Sequence, residues 1–357
     1  MSFSVMSDID GLRTEVNHAL SEFVSTQGRY LISIGEELEP VAIALEKFLL
    51  ESGKRLRPLF AYVGMVGAGI KPSKDLISAA ASLELLHVCA LIHDDVMDAS
   101  DTRRGAPSIH KTFEKMHLDK KMVGNSSQFG IASAILIGDL ALIWSAQMLH
   151  NSTIPPEKLI SALPVYDEMR VELMSGQYLD VYEQSLGTES IERSMKVARY
   201  KSGKYTIERP LHFGAALAQA PNDLFKTYTK YGIPLGEAFQ LRDDLLGVFG
   251  DPAQTGKPAG DDLREGKRTA LIAIALKKAS DSQRKLIKDK LGDPNLTSSM
   301  ISDLQQAITD SGATTHIETM IEELTNTSLS ALNHDGISPD GKRYLTELAV
   351  LATNRKI

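Results

Sequence analysis

Apolar residues recur at three- and four-residue steps along most of the chain, the spacing that lines one face of an α-helix. The longest such run covers 73–98, where Leu76, Ile77, Ala80, Leu83, Leu85, Leu86, Ala90 and Leu91 keep that spacing and predict one long helix. The same pattern predicts helices over 41–50, 129–149, 168–182, 191–200, 224–248, 270–278 and 300–308. Period-2 alternation with β-branched residues is nearly absent, so the expected fold is all-α, a helical bundle. Pro58, Pro155-Pro156 and Pro221 fall where helices begin, whereas Pro164 and Pro234 lie inside apolar patterns and predict kinks or boundaries.

Two segments break the helical pattern. Residues 100–107 are short, polar and basic. Residues 250–269 hold Gly250, Pro252, Gly256, Pro258, Gly260 and Gly266 among charges and predict an irregular loop, of a length that compact domains usually keep for function. No linker or repeat divides the chain, so one domain over 1–357 is expected, with 1–28 as an N-terminal extension or helix. Composition agrees: of 357 residues, 43% are hydrophobic and 24% charged, the balance of a globular protein. Lys and Arg number 39 against 46 Asp and Glu, a net charge of −7, which argues against non-specific nucleic-acid binding. The single cysteine, Cys89, excludes an intramolecular disulfide or a multi-cysteine zinc site and fits a reducing compartment. Residues 1–11 show no signal-peptide pattern. The most apolar stretch, 129–146, carries Asp139 at its middle and reads as a buried helix rather than a transmembrane segment. A cytoplasmic protein is expected.

Charge is concentrated in clusters. Asp94, Asp95 and Asp98 close the long apolar helix, with Asp94 and Asp98 on one face a turn apart. Acids are unfavourable at a helix C-terminus, where the dipole prefers cations, so a solvated acidic end explains them poorly. Clustered hard oxygens suit Mg²⁺, which takes one or two carboxylates and leaves its other positions to water and phosphate. Asp243 and Asp244 form a second pair on another apolar helix, with Gly247 where the first cluster has its third acid; Asp261 and Asp262 follow in the loop. Basic residues gather at Lys54, Arg55 and Arg57, at Arg103-Arg104, at Lys201 with Lys204, and at Lys257 with Lys267. The first group opens a helix, whose N-terminal donors and dipole favour phosphate. Acidic and basic clusters together suggest metal-bridged polyphosphate on one side and direct phosphate contacts on the other.

In order, Gly53-Lys54-Arg55-Leu56-Arg57-Pro58, His87 through Asp98, Arg103-Arg104-Gly105, Gln240 through Asp244, Gly256-Lys257 to Asp261 and Gly266-Lys267-Arg268-Thr269 resemble the all-trans polyprenyl diphosphate synthases. Within that family the chain is most similar to bacterial geranylgeranyl diphosphate synthases. The resemblance runs from about Leu49 to Leu271. It implies antiparallel helices around a deep central cavity, a homodimer, and a short-chain prenyltransferase. The partners implied are isopentenyl diphosphate and an allylic diphosphate (dimethylallyl, geranyl or farnesyl). By the same resemblance, Asp94, Asp95 and Asp98 hold Mg²⁺ against the allylic diphosphate, and Asp243 and Asp244 hold a further ion, about three in all. Arg103, Lys201, Lys257 and Lys267 surround the allylic diphosphate. Gly53, Lys54, Arg57, His87 and Arg104 match the metal-free isopentenyl diphosphate site, and Ser202 and Gln240 supply dipoles beside the developing carbocation. Many relatives have a third Asp where this chain has Gly247; water or the loop acids are expected to fill that role.

Chain length should follow from what blocks the cavity floor. Cys89 and Ala90, five and four positions before Asp94, are both small, which predicts a C20 product. Leu86, Phe60 and Trp144 are candidates for the floor itself. Two other readings compete. The His93-Asp94 doublet also resembles metal-dependent phosphohydrolases, which would need further metal-site histidines. A catalytically silent partner subunit would be expected to lose aspartates or the Lys54/Arg57 cluster. From about Ser280 onward the sequence carries no chemistry of its own: Lys285–Lys290 and Glu318–Glu323 read as solvated faces, and 325–339 contains loop signals.

Overall fold

The structure, a computed structural model, describes residues 3–51, 53–251 and 260–354. Helices build it almost entirely, in two compact units. The first comprises Met1–Pro164 and Pro210–Ala220. It contains α1 (Phe3–Ile34), α2 (Glu39–Leu50), α3 (Leu56–Gly67) and α4 (Lys74–Met97). A hairpin of β1 (Thr102–Arg103) and β2 (Ala106–Pro107) precedes α5 (Ile109–Asp119) and α6 (Ser126–His150). The start of α7 (Pro156–Leu186) and most of α9 (Arg209–Leu217) complete this unit.

The long helix forms because its signals agree. Ser73 caps α4 by accepting from the Leu76 N–H, and the run between Leu76 and Ile92 is apolar enough to be buried on nearly every side. Ala79, Ala81, Leu83, Leu86, Cys89 and Ile92 are fully buried, and α6 is a major packing partner. The two helices are also pinned by a buried hydrogen bond from Ser145 Oγ to the Ser82 carbonyl, 2.7 Å. Phe60 and Leu86 are core residues, as is Trp144, which stands edge-on to Phe23 at 6.3 Å.

The second unit comprises Val165–Arg209 and Pro221–Ile357. It holds the rest of α7, then α8 (Ile191–Val197), a π-helix (Ala198–Glu208) and α10 (Asn222–Phe249). After these come α11 (Asp261–Glu265), α12 (Ala270–Lys278), α13 (Asp281–Lys290), α14 (Ser298–Asp310), α15 (Ala313–Ser330) and α16 (Pro339–Thr353). One apolar cluster joins α10 to α15, including Leu241, Leu245, Leu271, Leu304 and Ile317. The π-helix passes so close to α10 that a β-carbon on Gly236 would lie 2.6 Å from the Gly203 carbonyl carbon and oxygen. Only two facing glycines permit that approach.

α7 and α10 run through Pro164 and Pro234, so neither proline is a boundary. Within 325–339, α15 continues to Ser330 before the chain leaves the helix. Two expectations are corrected. The loop over 250–269 includes the short helix α11, bracketed by Gly260 and Gly266 in left-handed conformation. The stretch 129–146 is a helix but not a buried one, since Ile135, Leu136 and Ile143 of α6 are exposed. By length and composition α4 and α6 could each cross a membrane; α4 is mostly buried within the fold.

Candidate active site

The first acid cluster sits where α4 stops. Asp98 ends the helix, Ala99 turns left-handed (φ 53°), and the Ser100 N–H returns to the Asp95 carbonyl at 2.9 Å, closing the end as a Schellman motif. Three carboxylates therefore meet the negative end of the helix dipole, which demands a cation. Arg103 supplies it: Nε donates to Asp95 Oδ1 at 2.8 Å, and Nη2 reaches Asp95 and, at 3.3 Å, Asp94. The hairpin aims it there. Arg104 and Gly105 both have positive φ (56° and 76°), as a two-residue type I′ turn requires. The Arg104 side chain takes a different course, donating to the Phe48 carbonyl at 3.3 Å and stacking over the Phe48 ring.

Toward the N-terminus of α4 the charge reverses. His87, two turns before Asp94, feels Arg57, Arg104, Arg103 and Arg55. Burial first, and these four cations after it, hold its imidazole well below the usual histidine range, so it is neutral at pH 7. Two turns correspond to roughly 10 Å along the helix. Arg57 is buried and Lys54 exposed. Arg55 is spoken for. Its guanidinium donates to Glu84 Oε1 at 3.0 Å, to Asn17 at 2.8 Å and to the Leu49 carbonyl at 2.6 Å, with Arg55 and Glu84 side chains each 2% exposed. Gly53 has a structural duty beside them. Its φ of +143° favours glycine, and a β-carbon would crowd Arg55 Nη1 at 2.6 Å.

His93 is engaged with α6. Its Nε2 lies 3.0 Å from the Ile135 carbonyl and 3.7 Å from Asp139, and its ring fills the space a β-carbon on Gly138 would need. A histidine so placed braces α4 against α6. Cys89 is on the same side, its Sγ 3.7 Å from His93 Nδ1, and burial pushes its thiol up to about 12, so it is inert. Ala90 instead shares a face with Asp94, one turn away.

In the second unit, Gln240 Nε2 donates to Asp244 Oδ1 at 2.7 Å. The Gln240 amide is thus engaged with the second acid pair. Burial pushes the Asp244 carboxyl up to about 8, against the Gln240 hydrogen bond, with Asp262 and Asp243 adding repulsion and Lys267 opposing it. Lys267 Nζ lies 2.8 Å from Glu265 and 3.4 Å from Asp262. Lys201 Nζ donates to Asp180 Oδ2 at 2.5 Å, from the π-helix that also presents Ser202 and Lys204. Lys204 pairs with Glu172, which also accepts from Arg209 Nε at 2.6 Å. Lys257 lies outside the described residues.

Asp180, Glu84 and Glu172 were not singled out from the sequence. The region after Ser280 also has a task. Glu318 on α15 takes Arg242 in a two-pronged bond, 2.6 Å on each arm, while Arg242 Nε donates to the Thr353 carbonyl at 2.8 Å. The residue next to Asp243 is therefore clamped by the C-terminal helices.

Oxygen-only acid clusters beside arginines and lysines are donor sets for a hard divalent cation and phosphate. Among the described residues no three His, Cys, Asp or Glu side chains already form an ion cage.

Such a constellation on an all-helical frame defines a diphosphate-handling enzyme, and comparison with known proteins identifies its kind. Residues 39–309 match the sequence model of the polyprenyl synthetase family, and the chain belongs to that family. A geranylgeranyl pyrophosphate synthase from Corynebacterium glutamicum, solved with isoprenyl diphosphate and magnesium, superposes with a TM-score of 0.94 at 40% identity, over 98% of this chain and 99% of that one. A geranylfarnesyl diphosphate synthase of Aeropyrum pernix is 34% identical over 74% of this chain and 78% of its own. A geranylgeranyl diphosphate synthase of Sulfolobus acidocaldarius is 27% identical, covering 81% of each.

Proposed function

We propose that the protein is a short-chain trans-prenyltransferase that joins isopentenyl diphosphate to an allylic diphosphate, with geranylgeranyl diphosphate (C20) as main product. One observation carries the reading. A single helix, α4, presents an acid cluster suited to metal-bridged diphosphate, paired with Arg103, and, two turns away, His87 among Arg57 and Arg104. A phosphohydrolase or a terpene cyclase needs one diphosphate site. Joining two diphosphate esters needs two.

The roles follow residue by residue. Magnesium, about three ions when bound, neutralises the leaving diphosphate. Asp94, Asp95 and Asp98 are its holders on α4, and Asp243 and Asp244 hold a further ion. Arg103, Lys201, Lys257 and Lys267 stabilise the same diphosphate as the allylic C–O bond breaks. Lys54, Arg57, His87 and Arg104 hold isopentenyl diphosphate, with Gly53 keeping the loop in shape, so that its double bond faces the allylic carbon. The new C–C bond forms, a proton leaves to the departing diphosphate, and the double bond is restored. Ser202 and Gln240 direct their dipoles toward the positive charge, and apolar walls keep water from quenching it. Ala90, with Cys89 behind it, leaves room for the tail to pass beneath the acids. The whole chain serves as one catalytic domain. The bare apolar face of α6, at Ile135, Leu136 and Ile143, is covered in a homodimer.

The test is product analysis with Mg²⁺, labelled isopentenyl diphosphate and, separately, dimethylallyl, geranyl and farnesyl diphosphates. A C20 diphosphate from all three primers is expected. Products ending at C15, or reaching C25–C30, would overturn the length assignment and keep the reaction. Absence of elongation with every primer would sink the reaction itself and favour a regulatory subunit of a heteromeric synthase.

A further inference from the structure

This inference rests on the reading above, in which Lys201 and Ser202 act on the departing diphosphate and the cation. Both sit in the π-helix Ala198–Glu208, a conformation met mostly as single turns and seldom sustained over eleven residues. Its neighbours make way for its width. A β-carbon on Gly176 of α7 would run into the Lys201 backbone, with the Cα only 2.7 Å away. One on Gly232 of α10 would lie 2.8 Å from the Glu208 Cα, and Gly236 makes the third such approach. These glycines give the segment room without holding it in place.

The hold is electrostatic. Glu172, Gly176 and Asp180 follow one another at four-residue steps on one face of α7, so the two acids stand about 12 Å apart along its axis. Asp180 takes Lys201 at 2.5 Å. Glu172 takes Lys204 from the same π-helix and Arg209 just beyond its end, with Arg209 Nε donating to Oε2 at 2.6 Å and Nη2 to Oε1 at 2.9 Å. The Arg209, Lys204 and Glu172 side chains are only 10%, 12% and 13% exposed. Burial opposes the ionisation of Glu172, yet hydrogen bonds from Arg209 and Lys204 hold its carboxyl below the usual glutamate range, so it is charged at pH 7. Glu208 lies 3.6 Å from Lys204 and accepts from Thr229 of α10 at 2.8 Å. The end of the π-helix is thereby tied to both neighbouring helices.

We propose that Glu172 is a positioning residue of the transfer reaction: by holding Lys204 and Arg209 it keeps Ala198–Glu208 in the π conformation, and that conformation aims Lys201 and Ser202. Where one wide turn relaxes to an α turn, the residues ahead of it rotate by about 100°, the angle of one residue. Lys201 then parts from Asp180, and Ser202 turns with it. Glu172 acts through these two and needs no contact with substrate.

The experiment joins steady-state kinetics of the full chain, with Mg²⁺, geranyl diphosphate and isopentenyl diphosphate, to amide hydrogen exchange. Glu172→Gln keeps the shape but sets an amide N–H₂ against two cations. Its kcat should fall roughly ten- to a hundredfold, the scale of a small misplacement of reacting groups, while KM for isopentenyl diphosphate stays within a few-fold of the parent. Lys201→Met should lower kcat at least as far, and adding Glu172→Gln to it should lower kcat no further, because residues that act as a unit are not additive. Losses that multiply in the double variant, or an unchanged kcat in Glu172→Gln, overturn the proposal. Exchange of the 198–208 amides should quicken in Glu172→Gln while that over 241–248 stays as in the parent. Unaltered exchange in 198–208, or equal quickening in both segments, overturns the hold on the π-helix, and this readout stands even if the parent protein transfers no prenyl group. If Glu172→Gln does not fold, Lys204→Met breaks the same pair from the other side and leaves Glu172 with Arg209; the same kinetics and exchange are expected of it.

Discussion

Glu84 offers the sharpest test of how the basic cluster is built. It is the acid facing Arg55 at 3.0 Å, with both side chains 2% exposed, so Glu84→Gln removes the counter-charge of a buried guanidinium. Breaking a buried pair by deleting one partner costs about 3–5 kcal/mol, because the remaining charge stays desolvated. For a unit of this size, each kcal/mol lowers the melting temperature by about 2–4 °C, so the expected fall is roughly 6–20 °C. Removing both charges is a different perturbation. In Arg55→Met with Glu84→Leu, no charge is stranded, and the losses are the Arg55 hydrogen bonds to Asn17 and the Leu49 carbonyl, about 1 kcal/mol each. The double variant should therefore be more stable than the single one by about 1–3 kcal/mol. Calorimetry or urea unfolding on the three proteins measures this. A Glu84→Gln loss below about 1 kcal/mol, or a double variant worse than the single, would refute the assignment of Arg55 as structural rather than substrate-binding.

Other expectations are as direct. Ala90→Phe places a ring one turn from Asp94 on the same face and should shift the main product from C20 to C15 by chromatography; an unchanged distribution defeats the chain-length argument. His87 is held neutral by burial and four arginines, so its folded pKa lies below the unfolded value of about 6.5. The unfolded chain then binds the extra proton, stability is full above that pH and declines as pH falls below it, and His87→Asn should flatten this acid limb in melting curves. An acid limb identical in the variant would show that another group is responsible. Gly236→Ala forces a methyl against the Gly203 backbone, which cannot step aside, and should cost about 1–3 kcal/mol while lowering turnover through the displaced Lys201 and Ser202. Wild-type melting behaviour in that variant would count against the close approach.

The helices were legible because their signals are local: spacing, a Ser cap on α4, prolines at helix starts. The acid and basic clusters were legible because charge on an apolar helix is costly and must have a use. What stayed hidden was pairing. Nothing around residues 54–57 says that Arg55 is held by Glu84, since that partner lies 29 positions away. The same holds for Lys201 with Asp180 and for Arg242 with Glu318, which gave the final third of the chain its role. The exposed face of α6 was misread for a related reason. An apolar run shows that a surface avoids water, but it does not say whether the cover comes from the same chain.

Arg103 has a consequence for the order of events. It is a cation tethered within bonding distance of Asp94 and Asp95, and a tethered competitor acts as though present at about millimolar concentration. A free divalent ion must outbid it and leave the arginine without its carboxylates. An ion arriving with a diphosphate offers Arg103 a new anion in exchange, and the number of ion pairs is conserved. The first cluster should therefore respond weakly to metal alone and strongly to metal with diphosphate, which calorimetric titration in both orders would register. On the proposed function, an enzyme wired this way would hold no ion in reserve, and its ionising charge would assemble only around a leaving group already in place.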